Sequence, residues 1–335
     1  MKNSLLFLFL VPLWGCPPIP TEEDPQEENP YFFWSVDWHP TTDQIVVGGM
    51  QDTLRLFSAT NLQLLQNCPY KGTITKTKWH PNSNKLAVSV QDGKSYSTIL
   101  DLDTNQSTKL ENSSPEGARA IGWNSTGTRL AVGDYEGFLT IFDDSGNFLK
   151  QINTQEKSII GLDWHPSDNR IAAVGENVIL YDLESDSLQR IKDRDEEFEV
   201  LMLCVAWHPD GHFFATGDYG DFLKPYPPLL QFWNEDGQKL ISIEGSKAEY
   251  RNLKWSNDGE LLATASEKIR LWNSTGDLIV EQTCPNLLWG IDWKDDGSQV
   301  VATDENGKIL IWDRTLQPLR ELKYPLNKGH PQTMR

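Results

Sequence analysis

The chain has 335 residues and a formal net charge of −18, from 30 Lys plus Arg against 48 Asp plus Glu. That balance excludes a general nucleic-acid binder, which needs a basic footprint over phosphates, and no apolar run reaches the roughly 18 to 20 residues needed to cross a bilayer as a helix. Four Cys without a CxxC pair exclude a disulfide scaffold and a zinc ribbon, while 13 Trp and 24 Gly point to a small unit repeated around an aromatic anchor.

Residues 1–15 read as an address. Lys2 makes a positive start, Leu5 to Val11 is an unbroken apolar run, and Pro12 ends it. A charged start with a short apolar stretch describes a secretory signal peptide. Leu13-Trp14-Gly15-Cys16 resembles the bacterial lipobox, with Trp14 where that motif has a small residue. The resemblance implies cleavage before Cys16, lipidation of Cys16, and a place in the bacterial cell envelope on the periplasmic or cell-surface side. More than one acyl chain makes such an anchor stable. The other reading is an ordinary signal peptide with an incidental Cys. Residues 17–30 hold five Pro and five acidic residues and cannot build a core. In extended polyproline II form this tether reaches roughly 40 Å. The tail is 325–335.

Between them the text repeats. Trp38, Trp79, Trp123, Trp164, Trp207, Trp255 and Trp293 each end an alternating segment, from SVDWHP to GIDWKD. About ten residues later comes a second apolar run, such as QIVVGG or RLAVGD, then a Gly/Asp turn and a third, such as LTIFDD or ILIWDR. A weaker fourth run follows: LQLLQ, STKLE, NFLKQI, SLQRI, QKLISI, DLIVEQ and PLRELK. Residues 31–324 divide into seven units of about 42 residues with four short strands each, the signature of a propeller blade. The expected fold is all-β, a seven-bladed β-propeller. Both faces of a blade pack on neighbours, so the repeated Trp fills the gap between blades.

The third-run pattern and the small residues ending the second run resemble the WD40 family over 31–324. Only Ile311-Trp312-Asp313 carries the literal Trp-Asp pair, and Gly-His pairs fall outside their family positions, at Gly211-His212 and Gly329-His330. The resemblance therefore implies the fold without the family's usual Asp-His-Ser/Thr-Trp network. Asp52, Asp92, Asp134, Asp218 and Asp304 recur between second and third strands and read as turn formers accepting backbone N–H groups. The last blade takes its outer strand either from PLRELKY or, as the family often does, from the N-terminal segment Asn29 to Phe33.

His39, His80, His165 and His208 each precede Pro. They fall in different repeats, so four cannot converge on a metal ion at about 2.0 Å, and they read as turn residues. Cys68 and Cys284 sit in matching places but in repeats one and six; Cys204 lies on a first strand and is expected to be a buried thiol. No structural disulfide, metal or cofactor is expected. Asn105, Asn112, Asn124 and Asn273 head N-x-S/T triplets, which matter only in a eukaryotic secretory pathway. No nucleophile elbow, zincin motif or P-loop occurs.

The residues just before each anchor Trp are Asp37, Lys78, Gly122, Asp163, Ala206, Lys254 and Asp292. Near a channel they either hold an ion or water cluster or are paired polar groups at a solvated pore. Two departures from the repeat length flank the fifth blade, 193–199 and 218–228, and serve either a partner or only loop length. Aromatic and Arg residues near the starts of the first strands mark a candidate partner-binding face: Trp34, Arg119, Tyr250, Arg251 and Trp289, with Phe222 and Tyr226 from the second insertion. Trp34 and Trp289 could instead only plug the channel. The expected function is a non-enzymatic, membrane-anchored platform for a protein or peptide, with partners carrying a basic patch favoured by the acidic surface. The membrane is touched through the anchor alone, and nucleic acid is not a partner. The alternative is a periplasmic propeller enzyme or ion-binding propeller working at the central channel.

Overall fold

The computed structural model describes residues 31–50, 52–91, 97–110, 114, 116–167, 169–192, 200–221 and 226–324. Cys16 with the segments on either side of it, the tail, the 193–199 insertion, Asp92 and Phe222 lie outside the described residues.

Seven antiparallel sheets of four strands each follow one another along the chain. In the first blade the strands are Phe33–Trp38, Gln44–Gly49, Thr53–Ser58 and Leu64–Pro69, and they pair in chain order. The other first strands are Thr73–Trp79, Ala118–Trp123, Gly161–Trp164, Met202–Trp207, Asn252–Trp255 and Leu288–Trp293, all ending on the anchor Trp. Second and third strands are almost wholly buried, as in Gln44–Gly49 and Thr53–Ser58, because a blade covers each face. That double burial explains why they read as continuous apolar runs. Fourth strands face water and read as polar, as in Gln106–Lys109. In blade one the fourth strand begins at Leu64, two residues later than the sequence pattern suggested. Leu62 is spent in the turn instead, buried, with φ 56° and its N–H donated to Ser58 O at 2.8 Å. Cys68 consequently lies inside that strand rather than in the connection after it.

Blades interlock through a second repeated position, five residues before each anchor Trp. Ile74, Ile159 and Tyr250 press on Gly48, Gly133 and Gly217 of the preceding blade. A Cβ added at those glycines would come within 2.4 Å of Ile74, 2.3 Å of Ile159 and 2.5 Å of Tyr250. The anchors fill the rest of each seam. Trp79 packs with Val46 and Leu54 of blade one and with Leu86 and Val88 of its own blade.

The ring closes without exchanging a strand. Pro318–Lys323 pairs with Lys308–Asp313 as the outer strand of blade seven, so the C-terminal segment takes that role. The N-terminal residues join the inner strand of blade one instead. Blades one and seven meet through their first strands, where Trp38 N–H donates to Asp292 Oδ2 at 2.7 Å. At the rim Tyr31 and Tyr324 make an edge contact at 4.9 Å, and the Arg55 guanidinium lies over both rings.

Candidate functional site: the two ends of the channel

The upper face is where first strands begin. Five of the seven blades carry a β-bulge there, at Trp34, Thr75, Arg119, Leu203 and Trp289. A bulge re-aims the side chain of its extra residue. In blades four and six the equivalent residues, Ile160 and Arg251, stand just before the first strand. All seven sit four residues before an anchor Trp and together line the upper mouth. The cavity at this mouth is only about 50 Å³.

At the mouth, cations and rings stack in a row. The Arg119 guanidinium lies 5.5 Å from the Trp34 ring, Trp34 is 4.9 Å from Trp289, and Arg251 lies 3.8 Å from the Trp289 ring. Tyr219 flanks Arg251 on the other side at 5.6 Å and is 41% exposed. Glu249 pairs with the Arg251 guanidinium. Burial pushes the Arg119 guanidinium down, with Tyr135 pulling it back up and Arg251 adding to the push. Among the described residues, three N–H donors here have no acceptor: Trp34 Nε1, Trp289 Nε1 and Arg251 Nε.

Four of the residues expected at this face, Trp34, Arg119, Arg251 and Trp289, come together. Tyr250 does not. It is 0% exposed, because it occupies the interlocking position over Gly217. Tyr226 is half-buried in a short bridge to Asp221 and does not line the mouth. Tyr219, Thr75, Ile160 and Leu203 were not singled out from the sequence. Counting four residues back from every anchor Trp would have found the last three.

Below the mouth Lys76 Nζ donates to Asn252 Oδ1 at 3.0 Å, a bond that spans the channel from blade two to blade six. Beneath this bar a vestibule of about 420 Å³ opens on the lower face, where first strands end. Its walls carry the charged residues that precede the anchors. Asp37 pairs with Lys78, and each of the three Asp also staples the next blade. Asp37 Oδ2 accepts Trp79 N–H at 2.6 Å, Asp163 Oδ2 accepts Trp207 N–H at 2.8 Å, and Asp292 serves Trp38. At three seams where the previous blade has no Asp in that place, the next blade's indole donates instead: Trp123, Trp164 and Trp293 Nε1 bond to the carbonyls of Lys78, Gly122 and Lys254. Burial raises the Asp37 carboxyl to about 6; Lys78 opposes that rise and Asp292 adds to it. Burial pushes the Lys78 amine down, but the carboxylates of Asp37, Asp292 and Asp163 outweigh it and the amine ends above its usual value.

The His-Pro residues do more than turn the chain. His80, His165 and His208 Nε2 bond to the carbonyls of Gly127, Gly211 and Gly259 in the following blade, at 3.0, 3.0 and 2.9 Å. Each ring also lies against that blade's anchor Trp. Among the described residues, no three His, Cys, Asp or Glu side chains gather to hold a metal ion. Asp134, Asp218 and Asp304 cap their own turns, each accepting two backbone N–H groups, while Asp52 reaches Gly72 N. Part of the network thought missing from this chain does form. Trp233 and Trp272 Nε1 donate to Thr216 and Thr264 Oγ1 at 2.9 and 3.0 Å, without a His. Cys68, Cys204 and Cys284 are free thiols, and burial pushes Cys204 up to about 12.

A family model, "WD domain, G-beta repeat", matches residues 198–224 and 278–313, and seven four-stranded blades fit that family. The chain is similar to meiotic fizzy-related protein 1 of Schizosaccharomyces pombe, 20% identical over 300 residues, covering 86% of this chain and 68% of that protein. It is similar to the APC/C activator protein CDH1 of Saccharomyces cerevisiae, 20% identical over 296 residues, covering 86% of this chain and 50% of that protein. The intraflagellar transport protein 80 homolog of Mus musculus is 22% identical over 193 residues, 56% of this chain and 23% of that protein.

Proposed function

We propose that the protein is a non-enzymatic interaction platform, held at a bacterial cell envelope by a lipidated Cys16, that receives a protein or peptide at its upper mouth. The observation that carries the proposal is the row of stacked cations and rings, Arg119, Trp34, Trp289, Arg251 and Tyr219, at one end of the ring. Aromatic and Arg side chains dominate interface energies because they bury area with few rotors and donate planar hydrogen bonds. The small mouth cavity and the Lys76–Asn252 bar suit a partner that rests on the ring rather than threading it. Relatives that include an APC/C activator support a scaffold role for this fold.

The chemistry of the partner follows from two fields of opposite sign. The net charge of −18 steers partners with a basic patch, weakly at physiological salt. The mouth itself offers Arg119, Arg251 and three N–H donors without acceptors among the described residues, so the docking group is an acceptor: a backbone carbonyl or a carboxylate. The leader and the Pro/acidic tether support envelope anchoring, with the ring held clear of the lipid.

The test is capture from membranes of the source cell with the tagged protein. Arg251→Ala and Arg119→Ala should each cut capture at least fivefold while the melting temperature stays within a few degrees. Thr42→Ala, at an exposed turn on the lower face, should leave capture unchanged. Capture that survives both Arg changes, or is lost only in destabilised variants, removes the upper mouth as the binding face.

A further inference from the structure

The lysine of the Lys76–Asn252 bar closes the channel above the vestibule, staples no blade and supplies none of the contacts proposed for the docked partner. Lys76 and Lys78 are two residues apart on the strand Thr73–Trp79, so both side chains leave the same face of that strand, toward the channel. They meet different surroundings. Lys78 takes the Asp37 carboxylate. Lys76 has a neutral partner, the Asn252 side-chain oxygen at 3.0 Å, and among the described residues no ion pair to a carboxylate. Its side chain lines both the mouth and the vestibule, so a molecule entering from the lower face meets it at the top of a 420 Å³ cavity. That volume lies within the range that holds small-molecule ligands, roughly 300 to 1,000 Å³.

We propose that Lys76 is a carbonyl-reactive amine, which condenses with a small aldehyde or ketone entering the lower vestibule to form a reversible imine. The Nζ lone pair attacks the carbonyl carbon, the C=O π pair moves to oxygen, and that oxygen takes up a proton. The nitrogen loses a proton to give the neutral carbinolamine, the hydroxyl takes one and leaves as water, and the iminium that remains loses its last N–H proton to give the C=N bond. One water is released per carbonyl, and nothing is oxidised or reduced. Asp37 lines the same cavity and can hold the proton that water departure needs; it is suited to this because burial raises its carboxyl to about 6, against the pull of Lys78.

The same surroundings favour the neutral amine. Burial pushes Lys76 down to about 8, Lys78 adds to the push, and Asp37, Cys204 and Asp292 pull back. Arg119 and Arg251 line the mouth cavity that Lys76 also borders, and Lys254 and Asp163 complete the charged wall below it. A lysine desolvated beside a second cation is a known route to an amine nucleophile near neutral pH. This site is independent of partner docking at the mouth, and its test does not depend on a partner.

The experiment treats the full-length protein in detergent with propionaldehyde and sodium cyanoborohydride at pH 7.5, which reduces any imine to a stable secondary amine. Peptide mass spectrometry then gives the labelling rate at each lysine. Lys76 should label at least tenfold faster than the exposed Lys71 and Lys247 of the same chain. Its rate should rise with a midpoint near pH 8, while Lys71 continues to rise at higher pH. Asn252→Asp places a carboxylate on the amine, keeps it protonated, and should cut Lys76 labelling severalfold without changing Lys71. Labelling of Lys76 no faster than Lys71 in the folded wild-type protein overturns the proposal, as does a folded Asn252→Asp variant that labels at the wild-type rate. If Asn252→Asp does not fold, the wild-type rate ratio and its pH profile decide alone.

Discussion

Asp292 Oδ2 accepts the backbone N–H of Trp38 at 2.7 Å across 254 residues of sequence, joining the last blade to the first. The same bond joins blade one to two through Asp37 and blade four to five through Asp163. It satisfies a backbone donor at the end of a buried strand, a group that is costly to leave without an acceptor.

Asp292→Ala removes that acceptor at the seam where chain connectivity gives no help. An orphaned buried N–H costs about 1–3 kcal/mol. Asp163→Ala makes the same loss between covalently consecutive blades. Equilibrium unfolding should show both variants destabilised. The Asp292 variant should also show the shallower transition, because an opened ring frays from both ends. Equal denaturant slopes in the two variants would contradict this view of the closure.

Trp164 fills the seam between blades three and four and donates its indole N–H to Gly122 O at 2.8 Å. Trp164→Ala should cost about 3–5 kcal/mol. His165→Ala loses the Nε2 bond to Gly211 O, the exposed Nδ1 bonds to Ser167 and a ring contact with Trp207 at 4.6 Å. Its cost should be about 1 kcal/mol, with no change in the metal content of the purified protein. A drop in bound metal would reassign the His-Pro residues.

Tyr250 fills the hole over Gly217, and its hydroxyl is buried with no hydrogen-bond partner among the described residues. Tyr250→Phe should therefore be neutral or stabilising by up to about 1 kcal/mol, and partner capture should be unchanged. Gly217→Val should unfold the seam, since even a Cβ comes within 2.5 Å of Tyr250. Loss of capture in Tyr250→Phe with unchanged stability would return this residue to the binding face.

Asp37 titrates higher in the folded protein, at about 6, than the ordinary carboxyl value of 3.8, first because of burial. A raised carboxyl means the folded state binds more protons between these values. The stabilising contribution is full below pH 3.8 and is lost as pH rises through 6. Asp37→Asn keeps an acceptor for Trp79 N–H but no longer titrates. Wild-type stability minus variant stability should thus fall between pH 4 and pH 7, by on the order of 1–3 kcal/mol. A difference that grows over that interval would mean that Lys78 dominates and Asp37 is depressed instead.

Cys16→Ser should release the protein from the membrane fraction or stop its processing, because acyl chains supply the binding. Intact mass and fractionation that match the wild type would remove the lipid anchor from the proposed function.

The amino-acid sequence determined the architecture because the blade is a local unit. Each turn, strand and anchor recurs within about 42 residues, so the pattern repeats seven times where it can be read. The turn-capping roles of Asp134, Asp218 and Asp304 were legible for the same reason, since each carboxylate meets N–H groups on its own turn. The anchor Trp was legible as a filler between blades, but the hydrogen bonds that join one blade to the next were not. Asp37 and Trp79 stand in different repeats, and their bond depends on how far one sheet is rotated against the next. Tyr250 and Arg251 are adjacent in the chain and both looked like face residues. The chain entering the strand Asn252–Trp255 sends Arg251 into the mouth and Tyr250 into the seam over Gly217. Only the closed ring brings Lys76 of blade two to Asn252 of blade six, because a channel wall exists only once all seven sheets stand around one axis.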